Sequence, residues 1–245
     1  MKNMGNMNKL NEDECLAEYQ TKVHERMKIV LNHMHGGVVF ADINTAYIDA
    51  DVRIGEGTFI GPCVTLEGKT LIGKNCIIRQ NTRIADSVIA DGVEIENSVI
   101  TESEIGEGTK VGPFAYMRPG SRVGAGCKVG DFVEIKNSTF GDGSKAAHLT
   151  YIGDSDVGRN VNLGCGVVFV NYDGKAKYRS EVADGAFIGC NSNLVSPVKV
   201  GEGAYIAAGS TVTEDVEDDA LYIARARGTK KQGWVSAKGI LKRKK

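Results

Sequence analysis

The chain has 245 residues, 42% of them apolar and 25% charged, with a formal net charge of −1. That length allows one or two compact domains, and that apolar content excludes wholesale disorder. The near-neutral balance gives the whole molecule no basic field for nucleic acid, and no run of 18 or more apolar residues is present to cross a membrane as a helix.

The opening MKNMGNMNKLNEDE is polar and lacks the apolar centre of a signal peptide, so a cytoplasmic protein is expected. Leu16, Tyr19, Val23, Met27, Val30 and Met34 then recur at steps of three and four, the spacing of one helix face. Asn11 with Glu14 makes a capping-box pattern at its start, and Gly36-Gly37 supplies a stop.

A repeat follows. Ile48, Ile54, Ile60, Leu66, Ile72, Ile78 and Ile84 fall on every sixth residue. Ile105, Val111, Met117, Val123, Val129 and Ile135 resume the step, and Val182, Ile188, Leu194, Val200, Ile206 and Val212 close it. Around Ile89, Ile95 and Ile100 the step shortens to five in places. A period of six fits neither a helix nor a simple alternating strand. It fits a solenoid of short straight segments joined by sharp corners, three segments to a coil, with coils stacked by parallel pairing about 4.8 Å apart. The 31 Gly against 4 Pro suit many tight corners, each needing a residue that tolerates positive φ or close backbone approach. The helix is expected to cap the first coil, whose open edge would otherwise invite pairing.

The regular step is interrupted between Ile135 and Ile152 and again between Phe169 and Val182. The second window, NYDGKAKYRSE, is a polar insertion expected to leave the corner as a loop. From Arg225 onward the chain carries nine Lys or Arg and no acid, read as a solvated basic tail. The expected organisation is therefore a polar start and capping helix over 1–40, the solenoid over 41–218 and the basic tail over 219–245. The six cysteines include no CxxC pair, which excludes zinc ribbons and thioredoxin-like motifs and leaves free thiols as the expectation. Patterns such as Gly124–Gly126 are not dinucleotide loops, because no strand-to-helix crossover follows them. Only His148 of the four histidines lies in the solenoid, so a metal centre built from several His is not expected.

Several motifs go beyond a bare repeat: GPFAYMRPG (112–120), FVEIK (132–136), KAAHLTYIGD (145–154), VNLGCG (161–166), NYDGKAK (171–177), IAAGSTVTEDV (206–216), then Ala224-Arg225 and Gln232-Gly233-Trp234. In this order over roughly residues 8–235 the chain resembles the C-terminal acetyltransferase domain of the bifunctional enzymes of bacterial UDP-N-acetylglucosamine synthesis, members of the hexapeptide-repeat acyltransferases. The resemblance implies an all-β solenoid, a left-handed parallel β-helix with an N-terminal capping α-helix. It implies acetyl transfer from acetyl-CoA to the amine of glucosamine-1-phosphate, for UDP-N-acetylglucosamine and cell-wall synthesis, in a homotrimer with sites at subunit interfaces. About forty residues precede the repeat and read as one helix, too few for a nucleotide-binding domain. Uridylyltransferase activity is not expected, and a separate uridylyltransferase is a candidate partner. The initial Met and polar start favour a native stand-alone protein.

Acetylating an amine needs a base, a nearby thioester and support for the developing oxyanion. By its place in HLTY, His148 is the expected base, since an imidazole exchanges protons near neutral pH. Glu134 on an adjacent coil is the candidate to orient its ring. The resemblance implies Arg118, Lys136 and Lys177 for phosphate and sugar, with Tyr151 and Asn162 as further sugar contacts. For acetyl-CoA it implies Cys165, Asn171, Tyr172, Cys190, Ala208 and Arg225. Cys165 stands where the family usually has Ala, and Cys190 where it usually has Ser; both are small, so the groove is expected to survive. An acyl-cysteine is not required, because direct attack needs only proximity and a base. Two other readings share this scaffold: acetylation of a different amino sugar, and a non-catalytic remnant that binds acetyl-CoA or a partner subunit.

Overall fold

In a computed structural model of the chain, residues 11–240 are described. The anchors point inward as their spacing requires: apart from the partly buried Ile54, every one in the three series is at most 5% exposed. The strands are two to four residues long and stack into three parallel sheets of eleven, ten and nine strands, the three faces of a prism. This is the left-handed parallel β-helix expected, with its helix at one end. Most coils advance by 18, 17 or 16 residues: Phe59 pairs with Ile77, Ile77 with Glu94 and Glu94 with Lys110.

A second inward position, two residues before each anchor, is not evident from the apolar pattern. Val52, Thr58, Val64, Thr70, Cys76 and Thr82 occupy it and are buried. It sits in the corner, where only small side chains fit, and its hydroxyls satisfy the backbone there. Thr58 Oγ1 donates to the Gly73 carbonyl at 2.9 Å and accepts from the Cys76 N–H at 3.0 Å. Cys76 and Cys127 fill the same position, and burial pushes both thiols up. Cys63, Cys76, Cys127, Cys165 and Cys190 are free thiols.

The corner between the eleven- and ten-stranded sheets uses one backbone device throughout. Two residues before every ten-stranded-sheet strand after the first stands a residue of positive φ: Cys63, Asn81, Asn97, Phe114, Phe132, Leu149, Gly166, Asn191 and Gly209. Asn and Gly tolerate this region, whereas bulky residues do so only under strain. The Asn81 amide donates to Asn97 Oδ1 at 3.0 Å, and the next two coils replace this ladder with Phe114 stacked on Phe132, ring centroids 5.5 Å apart.

Of the two interrupted windows, only one leaves the solenoid. Between Ile135 and Ile152 the coil continues through buried Phe140 and Ala146. Phe140 comes one residue early and Ala146 is small, which hid the step. The other window does leave: after Phe169 the chain makes a hairpin before returning at Ser180.

The helix runs Glu12–His35 with the capping box formed, Asn11 Oδ1 accepting from the Glu14 N–H and Glu14 accepting from the Asn11 N–H, both at 2.9 Å. Its second half seats on the first coil: Val30 is fully buried, Ile29 packs beside it, and the Arg26 guanidinium lies 4.5 Å from the Tyr47 ring centroid. Leu16 and Tyr19 remain exposed, so the apolar stripe caps the column only along its later turns. At the other end Leu221–Tyr222 adds a strand to the eleven-stranded sheet, so the solenoid extends to Tyr222, inside the stretch expected to be tail. Lys242–Lys245 lie outside the described residues. Among the described residues no helix is long and apolar enough to cross a membrane.

Candidate active site

Most strands are two or three residues long, but Lys128–Asp131 and Lys145–His148 each run to four. Their pairing reaches the corner and brings Asp131 opposite His148. Gly130 permits this approach, because a Cβ there would lie 1.9 Å from the Ala147 carbonyl oxygen. The Leu149 N–H donates to the Asp131 carbonyl at 2.9 Å, tying the two coils just past His148. His148 Nδ1 is hydrogen-bonded to Asp131 Oδ1. That bond outweighs desolvation and holds the Asp131 carboxyl below the usual carboxylate range, with lesser help from its own backbone N–H and from His148 and Lys128. The His148 side chain stands on an open ridge, 56% exposed.

The partner of His148 is thus Asp131 and not Glu134. Glu134 lies past the Phe132 corner on the ten-stranded sheet, where it is opposite Tyr151 and accepts from Arg118 Nη1 at 2.8 Å. Coil register, a seventeen-residue step, places Asp131 and not Glu134 opposite the ring.

The ten-stranded face carries the rest of the polar group. Glu134 and Lys136 flank the inward Ile135, so both point out. Lys136 Nζ donates to both Asp154 oxygens at 2.8 and 2.9 Å. Asp154 also accepts from Asn137 Nδ2 at 2.7 Å and Asn171 Nδ2 at 2.5 Å. Burial pushes the Asp154 carboxyl up, but the Lys136 ammonium and the two amides outweigh it and keep it below the usual range. Gly153 makes room for this cluster: a Cβ there would meet the Tyr151 hydroxyl at 2.3 Å and Asn171 Nδ2 at 2.8 Å.

Asn171 is the root of the inserted hairpin. The Tyr178 N–H donates to its carbonyl at 2.9 Å, and the Lys175 and Ala176 N–H groups both donate to Asp173 Oδ1 at 2.7 Å. Those backbone donors hold the Asp173 carboxyl below its usual range. The hairpin projects Tyr172, exposed and bonded through its hydroxyl to the Gly174 carbonyl at 2.7 Å, and brings Lys177 beside Lys136.

Of the remaining predicted residues, all but Asn162 lie along the His148 corner. Asn162 pairs with Phe187 and Leu163 with Ile188, and the Asn191 N–H donates to the Cys165 carbonyl, so Cys165 and Cys190 occupy equivalent corner positions on successive coils. Ala208 follows one coil on, with the Gly209 N–H donating to the Cys190 carbonyl at 2.8 Å. His148, Cys165, Cys190 and Ala208 therefore form one file along the edge. Arg225 ends it, with its side chain 3.7 Å from where a Gly209 Cβ would stand. Asn162 sits apart on the eleven-stranded sheet and is not gathered with Arg118, Lys136 and Tyr151 within one column. The site residue that sequence reasoning missed is Asp131. Its signal was available, since Asp131 and His148 each stand two residues past an inward anchor, Val129 and Ala146.

Residues 43–119 match the family model for the GMPPB C-terminal domain, and residues 102–137 and 179–214 match the bacterial transferase hexapeptide model. The chain is 58% identical to the bifunctional protein GlmU of Clostridioides difficile over 213 residues, 87% of this chain and 46% of that protein. It is 53% identical to that of Clostridium kluyveri over 233 residues, 95% of this chain and 51% of that protein. The chain spans about half the length of these curated relatives. Among solved structures, LpxA, a UDP-N-acetylglucosamine acyltransferase from Bacteroides fragilis, aligns with TM-score 0.49 and 20% identity over 74% of this chain and 70% of its own. The acetyltransferase domain of PglB from Neisseria gonorrhoeae, in complex with acetyl coenzyme A, aligns with TM-score 0.40 and 18% identity over 46% of this chain and 55% of its own.

Proposed function

Because the chain is a homologue of the C-terminal, hexapeptide-repeat part of GlmU, we propose that it is an acyltransferase moving the acetyl group of acetyl-CoA to the amine of glucosamine-1-phosphate. The product, N-acetylglucosamine-1-phosphate, serves UDP-N-acetylglucosamine and cell-wall synthesis. The observation that carries the reading is spatial: an imidazole on the corner file stands beside a face bearing Arg118, Lys136, Tyr151 and Lys177.

In this mechanism the sugar amine attacks the thioester carbonyl, its N–H proton passes to His148, and the C–S bond breaks to release the coenzyme thiol. Arg118 and Lys177 meet the phosphate. Lys136, held by Asp154, offers its remaining donor to the sugar, with the Tyr151 hydroxyl. The pantetheine lies along the Cys165–Cys190–Ala208 file, held by backbone groups that small side chains leave accessible. Asn171 and Tyr172 face it from the hairpin root, and Arg225 meets a coenzyme phosphate.

Assembly completes the site. A single column offers His148 only an open ridge, and Asn162 stands on the eleven-stranded sheet, not on the ten-stranded face with Lys136 and Tyr151. Phe114, Phe132 and Leu149 are 57%, 59% and 56% exposed beside His148, with φ of 58°, 56° and 49°. Three strained apolar side chains in a row suit burial against a sister column in a trimer, which would bring a second subunit's Asn162 toward the sugar face. The test is coenzyme A release with glucosamine-1-phosphate against free glucosamine. Release only with the phosphorylated sugar supports the reading; equal rates reject a role for the phosphate.

A further inference from the structure

The His148 ring uses Nδ1 to meet Asp131 Oδ1, which turns Nε2 away from that carboxylate. The juxtaposition is built into the backbone: two four-residue strands in register, a glycine that lets them close up, and a carbonyl of Asp131 bonded to the residue after His148. An imidazole can accept the amine proton at Nε2 only if its own proton sits on Nδ1. A carboxylate facing Nδ1 enforces that tautomer, because it accepts and does not donate.

Resting on the acetyl-transfer reading above, we propose that Asp131 is the positioning residue for the His148 base. Its Oδ1 accepts the Nδ1–H, fixes the ring's orientation and keeps Nε2 bare toward the substrate. As the amine nitrogen bonds to the carbonyl carbon, the proton it loses passes to Nε2, and Asp131 offsets the charge that the ring then carries. The proton goes on to the departing coenzyme sulfur, which returns the ring to its starting state. Asp131 touches neither substrate; it acts through His148.

The experiment compares Asp131→Ala, Asp131→Asn and His148→Ala by coenzyme A release, and reads the ring tautomer by 15N NMR of the full chain, with His148→Ala assigning the signal. Asp131→Ala is expected to lower kcat about 10- to 100-fold, as loss of an orienting partner does elsewhere, with KM for both substrates within about twofold of the parent. Asp131→Asn is expected to lose at least as much, because an amide N–H₂ can donate to Nδ1 and hold the proton on the wrong nitrogen. The parent spectrum is expected to show Nδ1 protonated and Nε2 bare, and Asp131→Ala a mixture. Parent-like kcat in Asp131→Asn, or an Nε2-protonated ring in the parent, overturns the proposal. Full activity in His148→Ala would instead remove the base assignment itself; the NMR result on the Asp131–His148 bond is independent of that outcome.

Discussion

Phe132→Asn separates the stability of the column from the strength of the proposed trimer. Phe132 holds φ 56°, a conformation that costs a bulky residue about 1–3 kcal/mol and that Asn adopts readily. Against that relief, the stack on Phe114 is lost, at about 1 kcal/mol. The ring is 59% exposed, so of its ~200 Å² some ~80 Å² is already covered, and uncovering it costs up to ~2 kcal/mol, less what the Asn side chain restores. These nearly cancel, and the melting midpoint of the isolated column is expected to move by only a few degrees. The other ~120 Å² is what a sister column would bury, about 3 kcal/mol per ring, or about 100-fold in the dissociation constant of each interface. Sedimentation equilibrium across protein concentration reads the second effect and thermal melts of the diluted chain read the first. A variant that assembles as tightly as the parent, or one that unfolds while still a single chain, refutes the reasoning.

Three further outcomes follow from the site. His148→Ala is expected to lose acetyl transfer by about 10²-fold or more while circular dichroism stays unchanged, since the side chain lies on the surface; coenzyme A release checks it. Asp154→Asn should cost about 2 kcal/mol at neutral pH, because it leaves Lys136 without its carboxylate. A carboxyl held low in the fold stabilises above its unfolded value, near ~3.9, and loses that contribution as pH falls through its lower folded value, so urea melts of parent and variant should converge in acid. Gly153→Ala is expected to displace Tyr151 and Asn171 on the ten-stranded face and, under the proposed sugar-binding role, raise KM for the amino sugar severalfold with little change in fold, checked by steady-state kinetics.

The column is legible because its anchors are large aliphatics on a fixed step, and one misplaced anchor shows how that legibility fails. Ala146 is too small to stand out as apolar, and Phe140 arrives after five residues, so an unbroken coil reads as a gap. The same gap concealed Asp131. Partners in a stacked coil are separated by one full coil, here seventeen residues, and a miscount by one moves a side chain to the next position. Glu134, three residues after Asp131, is already past the corner on another face. His148 stood out because it is the only histidine among the anchors. The corner hydroxyls were not legible at all, since Ser and Thr at inward positions look like loop residues until the backbone groups they satisfy are in view.

Because each coil touches only the coils beside it, the solenoid works as a ruler. The strands carrying Asp131 and His148 are adjacent, and the coils from Val39 to Val123 separate them from the capping helix. Those five coils amount to a spacer of roughly 24 Å at about 4.8 Å each. Removing or duplicating one whole coil in that stretch would shift the helix end by a single notch and leave the imidazole's own neighbours unaltered. The reach from the chain's leading helix to its chemistry can therefore change in quantised increments without redesign of either end.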